Sequence, residues 1–494
     1  MRHQINWLAA FVGLLGIVAS QNVAVTAPID DGQWSSSIPW PNVAIHMHLL
    51  PNGKVLFWGR REWNNDGTTN QSLDEHNCTP RLWDPVNGTF SELPRPGYNL
   101  FCSGHAFMAD GRLLVVGGHE RDSFGVANAS VFDFRNNTWT AIDSMNRGRW
   151  YPTAVTLSNG KVLVSAGKDE LSQMNVQQQI CDGVHFAPMG AHNDIPLYPK
   201  MHVVADGRVF LSGHLQLTQL FDSTTGNWQR VGDSVGRQRE DGCSVMYDVG
   251  KVMIVGGGLS PQKSAEIIDL NQAAPSWIQT DEMAYERRHH NATLLPDGTV
   301  LVTGGTSGGG VFNDLTNPVY AAELWDPATG QWTELAAESV PRLYHSSAIL
   351  LPDATVVSAG GGEFRKDSDN LPNDPQDSHR NAQLFSPPYL FKSTATEPRP
   401  DILTAPDTIS YGQQFSVTTT RPEQIAQISL VRLSSTTHSW NMNQRINFLQ
   451  FSNIGGNITI SVPSGPNLCP PGHYMLFVLN QSKVPSVAKI VRIQ

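Results

Sequence analysis

Tyr344 and His345 stand side by side in Pro341-Arg342-Leu343-Tyr344-His345-Ser346, just before an apolar run, Ala348-Ile349-Leu350-Leu351, that reads as a strand. A phenol and an imidazole can both ligate a metal. Nitrogen and oxygen donors of this kind suit copper(II), whereas zinc favours tetrahedral Cys/His sets and calcium or magnesium favour carboxylates.

The elements that must position this pair recur along the chain. A turn, a short apolar strand and a glycine appear as Asn52-Gly53-Lys54-Val55-Leu56-Phe57-Trp58-Gly59 and as Asp110-Gly111-Arg112-Leu113-Leu114-Val115-Val116-Gly117. Five further copies turn at Gly160, Gly207, Gly250, Gly298 and Ala354. After most copies comes an aromatic-Asp strand and a turn to a second aromatic, as in Leu324-Trp325-Asp326 followed by Gly330-Gln331-Trp332. Each unit therefore predicts a four-stranded sheet, and seven such units imply an all-β chain built on a seven-bladed kelch-type β-propeller over residues 21–393. The last unit lacks its outer strand. Gly32-Gln33-Trp34 is expected to supply it and close the ring, which removes exposed edges. Beyond the Ser/Thr/Pro-rich linker at Lys392 to Pro400 the period changes, and residues 394–494 predict a C-terminal immunoglobulin-like β-sandwich.

In a propeller the innermost strands face the axis, so equivalent positions form a ring. The position nine residues before each turn residue is Ala44, Cys102, Tyr151, Tyr198, Asp241, His289 and His345. Six of these seven are polar or reactive, and Tyr344 adjoins the last. A Tyr or His at a strand start often only satisfies backbone groups, and a lone Cys102 would be a buried thiol or half a disulfide. Converging at one end of a channel, the same residues make a ligand-rich site.

Charged residues make up 16% of the chain and the formal charge is -10, so no basic patch attracts a phosphate backbone and nucleic acid is not an expected partner. Arg2 and His3, an apolar run from Trp7 to Val18 and the small residues Val18-Ala19-Ser20 read as a signal peptide over residues 1–20, too short to anchor in a membrane. A secreted, extracellular protein with no membrane span is expected. Eight Asn-x-Ser/Thr sites (Asn70, Asn77, Asn87, Asn128, Asn136, Asn291, Asn457 and Asn480) would be glycosylation acceptors in a eukaryotic host. The cysteines are Cys78, Cys102, Cys181, Cys243 and Cys469, and an odd count leaves one sulfur free or committed to other chemistry.

Four separated motifs carry a resemblance: Leu100-Phe101-Cys102-Ser103-Gly104, Arg149-Trp150-Tyr151-Pro152-Thr153, Leu343-Tyr344-His345-Ser346 and Ser435-Thr436-Thr437-His438-Ser439. In this order the chain resembles the mononuclear copper radical oxidases, the galactose oxidase and glyoxal oxidase group, with Arg149-Trp150-Tyr151 closer to the glyoxal oxidase branch. The resemblance implies one copper ion held by Tyr151, Tyr344, His345 and His438, with His438 brought in by the C-terminal domain. It also implies a thioether between Cys102 and Tyr151, a protein-derived radical cofactor that accounts for the odd cysteine and leaves four others for up to two disulfides.

Such a site would oxidise a small aldehyde or primary alcohol by two electrons and reduce O2 to H2O2, with Tyr344 as the general base. Peroxide-using enzymes or a carbohydrate matrix are the partners this would imply. One departure stands out: where galactose oxidase stacks a tryptophan over the thioether, this chain has Asp169. Tyr198, Asp241, His289 and His290 are expected to line the channel or touch substrate. The competing reading is a non-enzymatic kelch-propeller module that binds carbohydrate or protein, since a propeller fold does not fix a function.

Overall fold

The computed structural model describes residues 27–60, 78–309, 312, 314–362 and 378–494. The expected signal peptide and the acceptor sites at Asn70 and Asn77 lie outside the described residues. The chain is all-β.

The turns have a common cause. The residue before the turn glycine bends back so that its side-chain oxygen accepts a backbone N–H two residues on, as Asp110 does from Arg112 at 3.1 Å and Asn159 from Lys161 at 3.0 Å. This fold-back is the Asx turn. The next residue takes a left-handed backbone, at φ 88° for Gly111 and 79° for Gly160. Ala354 does the same at φ 67° without being glycine. The strands that follow, such as Leu113–Val116 and Val162–Ser165, are buried along their whole length, as apolar runs covered on both faces should be.

Among the described residues before position 400, seven antiparallel sheets of four or more strands result, beside a two-stranded ribbon of His119–Arg121 and Phe124–Gly125. Five have four strands in simple up-and-down order, the first being Gly104–Phe107, Leu113–Val116, Ala129–Asp133 and Thr138–Ala141. The sheet of Ser346–Leu350, Val356–Gly360 and Asn381–Ser386 takes its outer strand from the start of the described chain, with Gln33 opposite Ser386 and Trp34 opposite Phe385. The sheet of Val43–Leu49, Val55–Arg60, Arg81–Trp83 and Phe90–Glu92 is extended on its inner side by Ser435–Thr437 and Trp440–Asn441.

Residues beyond 400 form a five-stranded sheet and a three-stranded sheet. Val417, Ile458 and Ile460 of the smaller sheet share one apolar core with Ile428, Leu430, Leu476 and Val478 of the larger. Only the hairpin 435–441 leaves this unit. It pairs with the first sheet at Met47–Thr436 and His48–Ser435, so its tip is carried in among the other seven sheets.

Candidate active site

The ring positions share one unusual backbone state. Cys102, Tyr151, Tyr198, Asp241, His289 and His345 all have left-handed φ, between 43° and 67°. Non-glycine residues held there cost about 1–3 kcal/mol each and persist where the surroundings over-determine them. Main-chain bonds link several neighbours among them. The Tyr151 N–H donates to the Cys102 carbonyl at 3.0 Å, Tyr198 to Tyr151 at 2.8 Å, and His289 to Asp241 at 2.9 Å. Ala44 departs from the pattern: it lies in a regular strand, next to a bulge between Ala44 and His46.

Buried arginines hold the segments leading into this ring, and sequence reasoning missed them. Arg149, Arg239 and Arg287 each stand two residues before a ring member. They donate from Nη1 to the carbonyls of Ala166 (2.6 Å), Gly256 (2.9 Å) and Gly304 (2.8 Å), each seventeen residues on. Arg342 makes the equivalent bond to Gly360 at 2.7 Å, eighteen residues on. One extra residue therefore sits between Arg342 and His345, which puts Tyr344 beside a ring histidine. The repeated Arg at a fixed offset was the signal in the sequence.

Five of the predicted residues meet at a cavity of about 330 Å³, lined by Cys102, Tyr151, Tyr344, His345 and His438 together with Phe101, Trp150, Leu197, Tyr198, Asp241 and Phe312 among others. The hydroxyls of Tyr151 and Tyr344 are in direct hydrogen-bond contact. The His438 ring centroid lies 4.6 Å from that of Tyr151, 4.9 Å from His345 and 5.4 Å from Tyr344. The Cys102 and Tyr151 side chains line the same cavity, and the bond from the Tyr151 N–H to the Cys102 carbonyl holds their backbones together. Burial pushes the Cys102 thiol and the Tyr151 phenol well above their ordinary ranges, and the proximity of Cys102 and Tyr344 adds to the rise for Tyr151.

His438 occupies the tip of the hairpin, where Thr437 pairs with Trp440 across two residues with φ 47° (His438) and 62° (Ser439). Two positive φ angles in a two-residue loop define a type I′ turn, usually built from Asn-Gly. A His-Ser pair there accepts strain to place an imidazole. Its Nδ1 contacts the Thr437 hydroxyl at 2.6 Å, and its Nε2 is buried with no hydrogen-bond partner. Burial lowers its pKa to about 3, so the ring is neutral and keeps a lone pair for a metal. The His345 Nδ1 meets the Gly362 carbonyl at 3.1 Å, which orients that ring. Among the described residues no three His, Cys, Asp or Glu side chains gather to hold a metal. The donors that do gather are two imidazoles and two phenols, and they fit copper(II).

Three expectations need correction. The aromatic face absent at Asp169 is supplied by Trp150, stacked on Tyr151 with centroids 3.7 Å apart and planes 7° from parallel. Asp169 instead caps a turn, accepting the Leu171 and Gln173 amides at 2.9 Å each and pairing with Arg147 at 3.0 Å. Neither His289 nor His290 lines the cavity: His289 stands behind Tyr344, and His290 lies against Gly256. No disulfide forms, and all five cysteines are buried as thiols. Cys243, for example, contacts the carbonyls of His290 and Ser439 and so sits against the hairpin tip.

Of the remaining ring members, Tyr198 stacks on Tyr151 at 4.5 Å and donates its hydroxyl to the Ser103 carbonyl at 3.0 Å. Asp241 lines the cavity and pairs with Arg288 at 2.6 Å; burial would raise its pKa, but His289 and Arg288 outweigh this and hold it below the usual carboxylate value. His289 packs against Tyr344, with centroids 5.1 Å apart.

The family model for the glyoxal oxidase N-terminus matches residues 257–389, and that for the galactose oxidase-like early set domain matches residues 399–493. Galactose oxidase of Gibberella zeae is 28% identical over 94% of this chain and 70% of its own length. Aldehyde oxidase GLOX of Vitis pseudoreticulata is 27% identical over 96% of this chain and 99% of its own. Among solved structures, a fungal alcohol oxidase described as in complex with copper superposes with a TM-score of 0.80 at 28% identity, covering 94% of this chain and all of its own. Matched in both parts of its length and alike over nearly the whole, the chain is similar to the galactose oxidase and glyoxal oxidase group.

Proposed function

We propose that this protein is a secreted copper radical oxidase that oxidises a small aldehyde, as its hydrate, or a primary alcohol by two electrons and reduces O2 to H2O2. The observation that carries the reading is the meeting of Cys102, Tyr151, Tyr344, His345 and His438 at one cavity, with the two phenol oxygens in contact. The seven sheets of residues 27–393 are read as the blades of a propeller, and the two sheets beyond residue 400 as a sandwich that lends its hairpin to the site.

Copper, when bound by Tyr151, Tyr344, His345 and His438, supplies a one-electron couple. Oxidation of an alcohol takes two electrons, so the chain must store the other. A sulfur substituent makes a phenol easier to oxidise, and Cys102 is placed to give Tyr151 one through a thioether. The planes of Trp150 and Tyr198 cover the Tyr151 ring, which shields such a store from water and reductants. Tyr344, as its phenolate, takes the substrate hydroxyl proton at its oxygen, and Tyr151, in its one-electron-oxidised phenoxyl form, takes the carbon-bound hydrogen atom, so that Tyr151 accounts for one of the two electrons and the couple that copper would supply accounts for the other. Phe101, Trp150, Leu197 and Phe312 offer apolar wall to a small substrate. Peroxide-using enzymes would be the consumers of the product.

A panel of aldehydes and primary alcohols assayed for peroxide release tests the proposal. The copper-treated chain should turn over at least one of them. His438→Ala, which leaves one imidazole, should lose most copper and turnover together. Unchanged copper content in both His438→Ala and His345→Ala would remove the ligand assignment, and with it the oxidase reading.

A further inference from the structure

Behind the cavity wall lies a line of buried polar groups that the proposed chemistry does not use. The Cys102 backbone N–H donates to His46 Nε2 at 3.2 Å. His46 Nδ1 meets His105 Nε2 at 3.1 Å, His105 Nδ1 meets the Ser435 hydroxyl at 2.6 Å, and Ser435 meets His48 Nδ1 at 2.9 Å. All four side chains are fully buried. A backbone N–H can only donate, so His46 Nε2 carries no proton and the ring is a neutral imidazole, with one nitrogen that accepts and one that donates; the same alternation applies to each imidazole along the line.

A single backbone amide then sets every proton in the line. Since the Cys102 N–H donates, His46 Nε2 accepts and its Nδ1–H donates to His105 Nε2. The His105 Nδ1–H donates to Ser435, whose own hydrogen turns to His48 Nδ1. The line ends at His48 Nε2, buried without a hydrogen-bond partner beside Trp58, the ring centroids 4.5 Å apart. It starts on the residue that must reach Tyr151 and passes through Ser435, in the hairpin that carries His438.

We propose that His46 is a positioning residue for the Cys102–Tyr151 pair: it holds the Cys102 amide while the Tyr151 N–H holds the Cys102 carbonyl, and the two bonds together fix the left-handed backbone that presents the thiol to the phenol ring. This rests on the oxidase reading. In forming the thioether, the Cys102 S–H and one Tyr151 ring C–H ortho to the hydroxyl break and a C–S bond forms. The two electrons and two protons pass to dioxygen as hydrogen peroxide. Geometry decides the rate of such a step, because both partners are already inside one buried cavity and only their alignment remains to be set.

The test follows the mass of the full-length chain, reduced and denatured at intervals after copper and air are supplied. Wild type should lose the two hydrogens of the cross-link in a form that thiol reductant does not restore. His46→Leu should slow that loss about tenfold or more. His46→Gln, which keeps an acceptor for the Cys102 amide, should restore most of the rate. His48→Leu, at the other end of the line, should match wild type, because Ser435 can turn its hydrogen to the His105 carbonyl at 3.5 Å.

A His46→Leu chain that cross-links at the wild-type rate, or a His48→Leu chain slowed as much as His46→Leu, would overturn the assignment. If His46→Leu does not fold, nitrogen-15 spectra of the wild-type histidines decide: the neutral Nδ1–H tautomer at His46 is required, and an Nε2–H tautomer refutes it. A wild-type chain that never cross-links would instead remove the oxidase reading, and the tautomer would still judge the hydrogen-bond line.

Discussion

Glu338 is the clearest point at which the architecture makes stability depend on pH. Its side chain is completely buried, Oε2 accepts the Ser358 hydroxyl at 3.2 Å, the Arg342 Nε is 3.8 Å away, and Oε1 has no hydrogen-bond partner. Burial pushes its pKa to about 7, and Arg342 offsets only part of that cost. The folded chain therefore binds the Glu338 proton more tightly than the unfolded chain, whose carboxyl has the ordinary value of 4.5. A raised carboxyl pKa contributes stability below pH 4.5 that is lost as pH climbs through 7. One unit is worth about 1.4 kcal/mol, so the full span is about 3 kcal/mol, and coupling to Arg342 makes about 1–3 kcal/mol the working range.

Glu338→Gln keeps the shape and the Ser358 contact while removing the charge. Denaturant unfolding of the copper-free chain at several pH values between 4.5 and 8 measures the difference between variant and wild type. The variant should gain on wild type by that amount across the interval, with most of the gain between pH 5 and 7. Parallel curves would show that Glu338 is not a buried proton-binding group, and the reasoning from burial would fail.

Ala354→Gly should stabilise the chain by about 1 kcal/mol, since only a Cβ opposes its φ of 67°; a lower unfolding midpoint would refute this. Arg287→Met should destabilise by about 3–5 kcal/mol, because Glu323, ion-paired with it at 2.8 Å, is left as an uncompensated buried charge, and adding Glu323→Leu should recover much of the loss in the same assay. A chain ending at residue 393 lacks both the strand that pairs with Val43–Leu49 and His438, so it should release no peroxide; turnover from it would remove the hairpin from the site.

The sequence made the turns, the buried strands and the ring legible because each rests on a local rule. Gly at a left-handed turn, an apolar run and a fixed offset all survive without knowledge of distant contacts, and the offset of nine found six residues with one backbone state. Ala44 failed because the bulge beside it in the first sheet changes the count. The stacking of Trp150 was not legible in the sequence: whether an aromatic stacks on its own neighbour depends on the φ of that neighbour, and Tyr151 at φ 66° lets Trp150 lie over it. The disulfides failed because an even number of leftover cysteines says nothing of where their sulfurs lie in the fold.

The pairing of Tyr344 with His345 shows how a repeat can yield a site. Three sheets place Arg, one residue and then a ring member, and the clamp from Arg to the following strand end spans seventeen residues in each. The sheet that begins at Ser346–Leu350 keeps both ends of that clamp, Arg342 and Gly360, and keeps His345 in the ring state. A residue added between two fixed points cannot lengthen the sheet, so it must bulge, and Tyr344 meets Tyr151, His289 and Phe312 at the cavity. Its carbonyl is then bonded by the Gly362 N–H at 2.8 Å, which holds the bulge. A single insertion against a rigid arginine clamp is enough to give one ring position two donor side chains where its neighbours have one.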